Sequence, residues 1–251
     1  MPLLFGCQVR ENESVEAQDE YYLFPLIAIE KPITIELFYA IEANMTIEQV
    51  HNLLGYKPSF EDSTIPRYVS QRWGESDSSQ LATEFIDGSL IYFSYYGFNL
   101  MEHLGREQFD LLTFDMSIPE IAEIIGASPR YQSTWVFVDA MSLSAEWQDE
   151  NANTIYVSIF DDGLTSLSFG SEATIKLSEL ENFEAITVGM TLEEVQQLII
   201  APPTDISHSR WYPEAPRTEI SWRISENETF YVILANDIVT FTGHHVRSSS
   251  F

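Results

Sequence analysis

Asn44-Met45-Thr46-Ile47-Glu48-Gln49-Val50, Asp115-Met116-Ser117-Ile118-Pro119-Glu120-Ile121 and Gly189-Met190-Thr191-Leu192-Glu193-Glu194-Val195 are three versions of one pattern. Each reads as a helix start. Thr46, Ser117 and Thr191 stand at the N-cap, where a hydroxyl accepts from the N3 amide, and Gln49, Glu120 and Glu194 at N3 reach back to the cap amide. The methionine before each cap is placed to pack on Val50, Ile121 or Val195 at N4, as a hydrophobic staple. Pro119 falls in the first turn, where a missing amide costs little. The three methionines are 71 and 74 positions apart, so the pattern predicts a tandem array.

Working outward, the predicted helices run about three turns through Leu53-Leu54, Ile124-Ile125 and Leu198-Ile199. Two end at Gly55 and Gly126, with prolines following at Pro58, Pro129 and Pro202, while Ile200 replaces the glycine in the third. A β-rich stretch comes next, with Trp73, Trp147 and Trp222 at offsets of 28, 31 and 32 from their methionines. The turn pairs Asp87-Gly88, Asp162-Gly163 and Asn236-Asp237 then predict hairpins. The expected fold class is α+β: tandem units of a helix followed by about three antiparallel strands, with the helices packed on one face of the sheet. The expected divisions are 1–20, a lipoprotein signal remnant and acidic tether; 21–106, the first unit with an N-terminal extension; 107–175, the second; and 176–251, the third. Caps, staples and tryptophans at equal offsets are scaffold, because any repeated fold needs them whatever it does.

The chain has 251 residues, 45% hydrophobic, and a formal net charge of -27 with three lysines, Lys31, Lys57 and Lys176. That charge argues against nucleic acid or an anionic membrane surface as a direct partner, because both require neutralising cations. No apolar run reaches the ~18 residues of a membrane-spanning helix. Leu4-Phe5-Gly6-Cys7 is similar to the end of a bacterial lipoprotein signal, and Cys7 is the only cysteine. Behind it, Gln8 to Glu20 is polar and acidic, as suits a flexible tether. Residues 1–5 lack the charged and apolar regions of a full signal. Two readings of Cys7 therefore stand: a lipidation site at the cell surface or in the periplasm, and an unmodified cysteine in a cytoplasmic chain. A lipid anchor at Cys7 is the only membrane contact expected.

In the third segment, Phe183-Glu184-Ala185-Ile186-Thr187-Val188-Gly189-Met190-Thr191, with Val195 and the later Trp211-Tyr212-Pro213, resembles the repeat of the secreted β-lactamase-inhibitor proteins. The Gly-Met-Thr helix start is also similar to that of small outer-membrane assembly lipoproteins. The resemblance is strongest over Phe183 to Trp222, weaker over Ile41 to Tyr96, and weakest over Phe114 to Phe169. It implies helices behind a continuous antiparallel sheet whose other face is open and, in the inhibitors, grips the target enzyme. This chain departs from the inhibitors in lacking their cysteine staples and in carrying three copies where they have two.

Catalytic signatures are missing from the sequence. Cys7 has no base near it in sequence, and His51, His103, His208, His244 and His245 show no metalloprotease spacing. Asp161-Asp162-Gly163 lacks the alternating oxygen ligands of a calcium loop and reads as a hairpin turn. Phosphate-loop, dinucleotide and nucleophile-elbow motifs do not occur. The chain is therefore expected to be a non-enzymatic binding protein with no metal and no cofactor, recognising a protein partner outside the cytoplasm. Inhibition of a secreted hydrolase such as a β-lactamase is the alternative. Strand alternation places Ile220, Trp222 and Ile224 opposite Glu219, Ser221 and Arg223. It likewise separates Ile155, Val157 and Ile159 from Tyr156, Ser158 and Phe160, and Ile91, Phe93 and Tyr95 from Leu90, Tyr92, Ser94 and Tyr96. One face is aliphatic. The other is rich in tyrosine, serine and arginine, the residue types that supply contact area at low entropy cost. Expected anchors are Tyr92, Tyr96, Tyr156, Arg223 and Tyr231 on that face, with Trp211 and Tyr212 in a Pro-bounded loop.

Overall fold

The computed structural model describes residues 32–246, apart from 76–77, 99, 138–139, 162, 176–179 and 211–215, and excludes the side chains of 163–164 and 180–181. Within these residues the order helix, helix, four strands occurs three times. First come α1 (Ile35–Tyr39), α2 (Ile47–Leu54), β1 (Phe60–Asp62), β2 (Tyr68–Trp73), β3 (Gln80–Ile86) and β4 (Ser89–Tyr96). Next are α3 (Arg106–Phe109), α4 (Ile118–Ile125), β5 (Tyr131–Val136), β6 (Met141–Gln148), β7 (Thr154–Phe160) and β8 (Gly163–Gly170). Last are α5 (Leu180–Glu184), α6 (Leu192–Leu198), β9 (Asp205–Ser209), β10 (Arg217–Ser225), β11 (Glu228–Ala235) and β12 (Ile238–Val246). All the strands form one twelve-stranded antiparallel sheet in sequence order, including the pairs β4–β5 and β8–β9 that join one group of four to the next. The fold is a mixed α and β one in which strands dominate.

Four strands follow each helix pair, not the expected three. The extra strand is the first of each group, and its polar side chains hide it: Gln132, Ser133 and Thr134 in β5, and Asp205, Ser207 and His208 in β9, break the apolar alternation that marks a half-buried strand. The short helices α1, α3 and α5 were also not anticipated. They carry Phe38, Phe109 and Phe183, each seven residues before its methionine and each buried. Phe38 packs on Phe93 and Tyr95, Phe109 on Phe169, and Phe183 on Trp222 and Phe230.

The helix starts form by the predicted chemistry. Thr46 and Thr191 accept from the amides of Gln49 and Glu194 at 3.2 Å, and their own amides donate to the side chains of those residues at 2.8 and 2.7 Å. At the second start the Glu120 carboxylate takes both the amide and the hydroxyl of Ser117, each at 2.7 Å. Met45, Met116 and Met190 pack against the cores, and each sulfur accepts from the backbone amide three residues earlier, at 3.5, 3.5 and 3.4 Å. Gly55 and Gly126 close α2 and α4 at φ of 78° and 82°, the left-handed region where a side chain is disfavoured. Ile199 closes α6 in an extended conformation instead. These helices are eight, eight and seven residues long, about two turns and not three.

Trp73, Trp147 and Trp222 are fully buried or nearly so, and each indole donates to a backbone carbonyl just beyond the preceding helix: Tyr56 at 3.3 Å, Ala127 at 2.8 Å and Ala201 at 3.1 Å. Each ties its helix end to the sheet while burying a large apolar surface. Two hairpin turns fall as predicted, with φ of 53° and 80° at Asp87 and Gly88, and 50° and 60° at Asn236 and Asp237. In the middle hairpin the positive φ is at Asp161 and β8 begins at Gly163, so that turn starts one residue earlier than the Asp162-Gly163 reading. A register shift recurs just beyond each turn, at Glu84/Phe85, Ser158/Ile159 and Ile233/Leu234. The first makes Ile91 an extra residue, so Leu90 points to the helix side and is fully buried, contrary to the strict alternation expected from sequence.

Two apolar cores lie beneath the helices. One gathers residues between Ile33 and Tyr95 around Trp73, Leu81 and Phe85. The other runs without a break from Leu104 to Val239, around Trp147, Val157, Phe183 and Trp222. Between them, at the β4–β5 junction, Gln132 and Thr134 are the buried residues of β5 on the helix side. The Gln132 amide oxygen and the Thr83 hydroxyl lack a hydrogen-bond partner there.

Candidate interaction face

Antiparallel register fixes which side chains share the face opposite the helices. Across it runs a row of serines, one per strand over six neighbouring strands: Ser94 opposite Ser133, then Ser144, Ser158, Ser166 and Ser209. Tyr92 and Tyr131, from opposite sides, reach over it at Ser94 and Ser133, where Ser133 is buried. Aromatic rings flank it on both sides. On one side Tyr92, Trp135 and Phe160 stand in line, with Ser142 between the last two. On the other, Tyr96, Tyr131, Glu146 and Tyr156 do the same.

The rings are held by their neighbours. Tyr92 packs on Trp135 with centroids 4.3 Å apart, and its hydroxyl meets that of Tyr131 at 3.0 Å. Burial pushes the Tyr92 phenol pKa up. The Arg130 guanidinium lies 5.2 Å from the Tyr96 ring centroid and donates to the Tyr96 hydroxyl, and Phe98 meets the same ring edge-on. Tyr156 donates to Ser144 at 2.8 Å. Trp135, Phe137 and Phe160 are exposed, at 44%, 53% and 48%, and Phe137 and Phe160 lie 6.4 Å apart. A soluble surface seldom spends so much aromatic area on water.

Two concavities open on this face. The larger, about 370 Å³, lies over β2–β4 between Arg72, Glu84, Tyr92 and Tyr96. The smaller, about 200 Å³, lies over β7–β10, where Ser168, Gly170, Ser207 and Ser221 form the floor beside Asp205 and Glu219.

Of the expected anchors, Tyr92, Tyr96, Tyr156, Arg223 and Tyr231 all stand on this face, in two separate places. The three tyrosines flank the serine row. Arg223 and Tyr231 lie on β10 and β11, where Arg223 pairs with Glu172 at 2.8 Å and Asp205 at 3.7 Å. Tyr231 lies over Gly243, leaving no room for a side chain there, and packs on Phe241 at 5.9 Å. Trp211, Tyr212 and Cys7 lie outside the described residues. Sequence reading missed Tyr131, Trp135 and Phe137 because it did not recognise β5, although Tyr131 and Trp135 at i and i+4 share a face of any strand.

Among the described residues no cluster of three or more His, Cys, Asp or Glu side chains is arranged to hold a metal. His51 meets Gln71, His103 meets Glu107, His208 meets Thr218 and His244 meets Glu228. His208 stacks on Phe109 at 5.5 Å, and burial, with Arg106 nearby, holds its pKa below the usual value against the opposing pull of Asp110 and Asp237. No described helix is long and apolar enough to cross a membrane.

No protein-family model matches the chain. No curated protein matches it either. Among solved structures it is similar to a Streptococcus mutans protein provisionally described as a beta-lactamase inhibitor protein, at 17% identity and a TM-score of 0.43, over 53% of this chain and 91% of that one.

Proposed function

We propose that the chain is three tandem copies of one α+β unit and that it works as a non-enzymatic binding protein, recognising a protein partner through the open face of its sheet. One observation carries this reading: the exposed rings of Trp135 and Phe160, in line with the half-buried Tyr92, beside a row of serines. Rigid rings supply contact area at low entropy cost, and serines supply hydrogen bonds without bulk, so a partner can seat against the exposed rings and the serines beside them. Placement outside the cytoplasm, with Cys7 as a lipid attachment point, belongs to this proposal and rests on sequence alone.

The test separates scaffold from site. Trp135→Ala removes a half-exposed ring, so its stability change should stay within about 0.5 kcal/mol apart from the lost Tyr92 contact. Binding to a captured partner should weaken by about 2 kcal/mol or more, roughly thirtyfold, if Trp135 is an anchor. A partner that binds Trp135→Ala and Tyr92→Ala as tightly as the parent would remove this face from consideration. The narrower reading, inhibition of a secreted hydrolase such as a β-lactamase, draws on the resemblance at Phe183 to Thr191. Titration into a panel of β-lactamases should then abolish activity of at least one at about micromolar protein, and full activity throughout would end that reading.

A further inference from the structure

The fourth strand of each group presents an outer edge, and two of the three such edges are covered within the chain. β5 covers β4 through five pairs, from Tyr92↔Trp135 to Tyr96↔Tyr131. β9 covers β8 through five pairs, from Ser166↔Ser209 to Gly170↔Asp205. The shared register shift aligns Tyr92, Ser166 and Phe241, so the matching stretch of β12 is Phe241–His245. Among the described residues no strand pairs with it, and β12 is the last in the sheet.

The direction of the free backbone groups follows from the covered edges. Gly97 donates outward to the Arg130 carbonyl, and the Thr165 carbonyl accepts from Arg210 across the β8–β9 edge. Carried along the strand with a period of two, this turns the amides of Thr242 and His244 outward. Natural edge strands are usually short, charged or broken by proline. The other end of this sheet obeys that rule: β1 has three residues, two of them Glu61 and Asp62. β12 does not. Its nine residues, Ile238–Val246, include no Asp, Glu, Lys, Arg or Pro.

We propose that Phe241–His245 is a strand-addition site, and that its occupant is an extended segment of a basic partner protein, paired antiparallel as β5 and β9 are. A second copy is disfavoured on two grounds. Two chains of formal net charge -27 repel each other, and β1, the counterpart of β5 and β9, is too short and too acidic to supply five residues. Asp237 precedes β12 at one end, so a cation flanking a donated strand would meet a carboxylate there, while at the other end Glu228 is already paired with His244. Backbone pairing supplies affinity and alternate side chains supply selectivity, which makes this site separate from the open face.

A synthetic peptide carrying the sequence Tyr131–Val136, flanked by lysines, is the probe, and hydrogen exchange followed by NMR is the readout. Saturable binding should protect the amides of Thr242 and His244 first. Thr242→Pro removes an outward amide at an edge position where proline is tolerated, and should weaken the peptide about tenfold or more, the equivalent of one backbone hydrogen bond. Trp135→Ala should leave peptide binding unchanged. Protection of Thr242 and His244 in the free monomer would show that the chain covers its own edge, and protection that appears only on self-association would make the occupant a second copy. Either result overturns the proposal, as does a peptide that protects other amides or none. The exchange map of the parent decides the matter even if Thr242→Pro fails to fold.

Discussion

Trp147→Ala is expected to lower the unfolding free energy by about 3–5 kcal/mol, a large fraction of what a domain of this kind possesses. The ring is 1% exposed in the larger core, which also holds Ala145, Ile155 and Ile121. Its removal leaves a cavity that neighbours on a twelve-stranded sheet cannot easily close, because their positions are fixed by strand pairing. The Ala127 carbonyl also loses the indole donor at 2.8 Å, which frees the end of α4. Trp147→Phe restores most of the volume but not the hydrogen bond, so it should recover all but about 1–2 kcal/mol. Chemical denaturation followed by circular dichroism measures both. An alanine variant within 1 kcal/mol of the parent would contradict the packing described above.

Asp149→Ala is expected to cost about 3 kcal/mol or more, for the opposite reason: it removes an acceptor, not apolar bulk. The carboxylate is 1% exposed and accepts from the amides of Leu104 at 3.0 Å, Asn151 at 2.8 Å and Asn153 at 2.9 Å, and from the Asn153 side chain at 2.9 Å. It therefore ties the segment leading into α3 to the turn between β6 and β7. Burial alone would raise its pKa, but the donors from Asn153, Leu104 and Asn151 outweigh it and hold the group below its ordinary value. A depressed folded-state pKa contributes stability that is fully present above the unfolded-state value, about 3.9, and is lost as pH falls through the folded-state value. Asp149→Asn keeps one acceptor and removes the charge. It should cost less than the alanine variant and should flatten the acid limb of the stability profile. An acid limb as steep in Asp149→Asn as in the parent would assign that loss to other carboxylates.

The parts of the fold legible in sequence were those whose physics is local. A capping box needs only four residues, so Thr46 with Gln49 and Thr191 with Glu194 announced themselves, and so did the left-handed glycines at the ends of α2 and α4. The tryptophans were legible as recurring positions, although the carbonyls they bond were not. What remained hidden depends on pairing between distant segments. The serine row joins residues from Ser94 to Ser209 through five strand contacts, and no window of sequence contains it. Trp135 was overlooked for a related reason. Its strand is polar on the helix side, where Gln132 and Thr134 stand, so the usual alternation was absent and the exposed ring had no strand to be placed on.

The polar seam at Gln132 and Thr134 also governs how the molecule should come apart. Cooperative unfolding spreads through contiguous apolar contact, and here that contact is interrupted once, between the core around Trp73 and the core that spans the remaining two thirds of the sheet. Across the interruption, five backbone pairs between β4 and β5 hold the two parts in register, and the apolar contacts that cross it are those of Val136 with the first core and of Trp135 with Tyr92. The sheet is continuous, and partial unfolding is expected to release residues 33–95 before the larger core that the second and third strand groups share. Tyr92 and Trp135, which pack against each other on the opposite face, sit astride that division. A partner seated on both rings would couple the unfolding of the two cores.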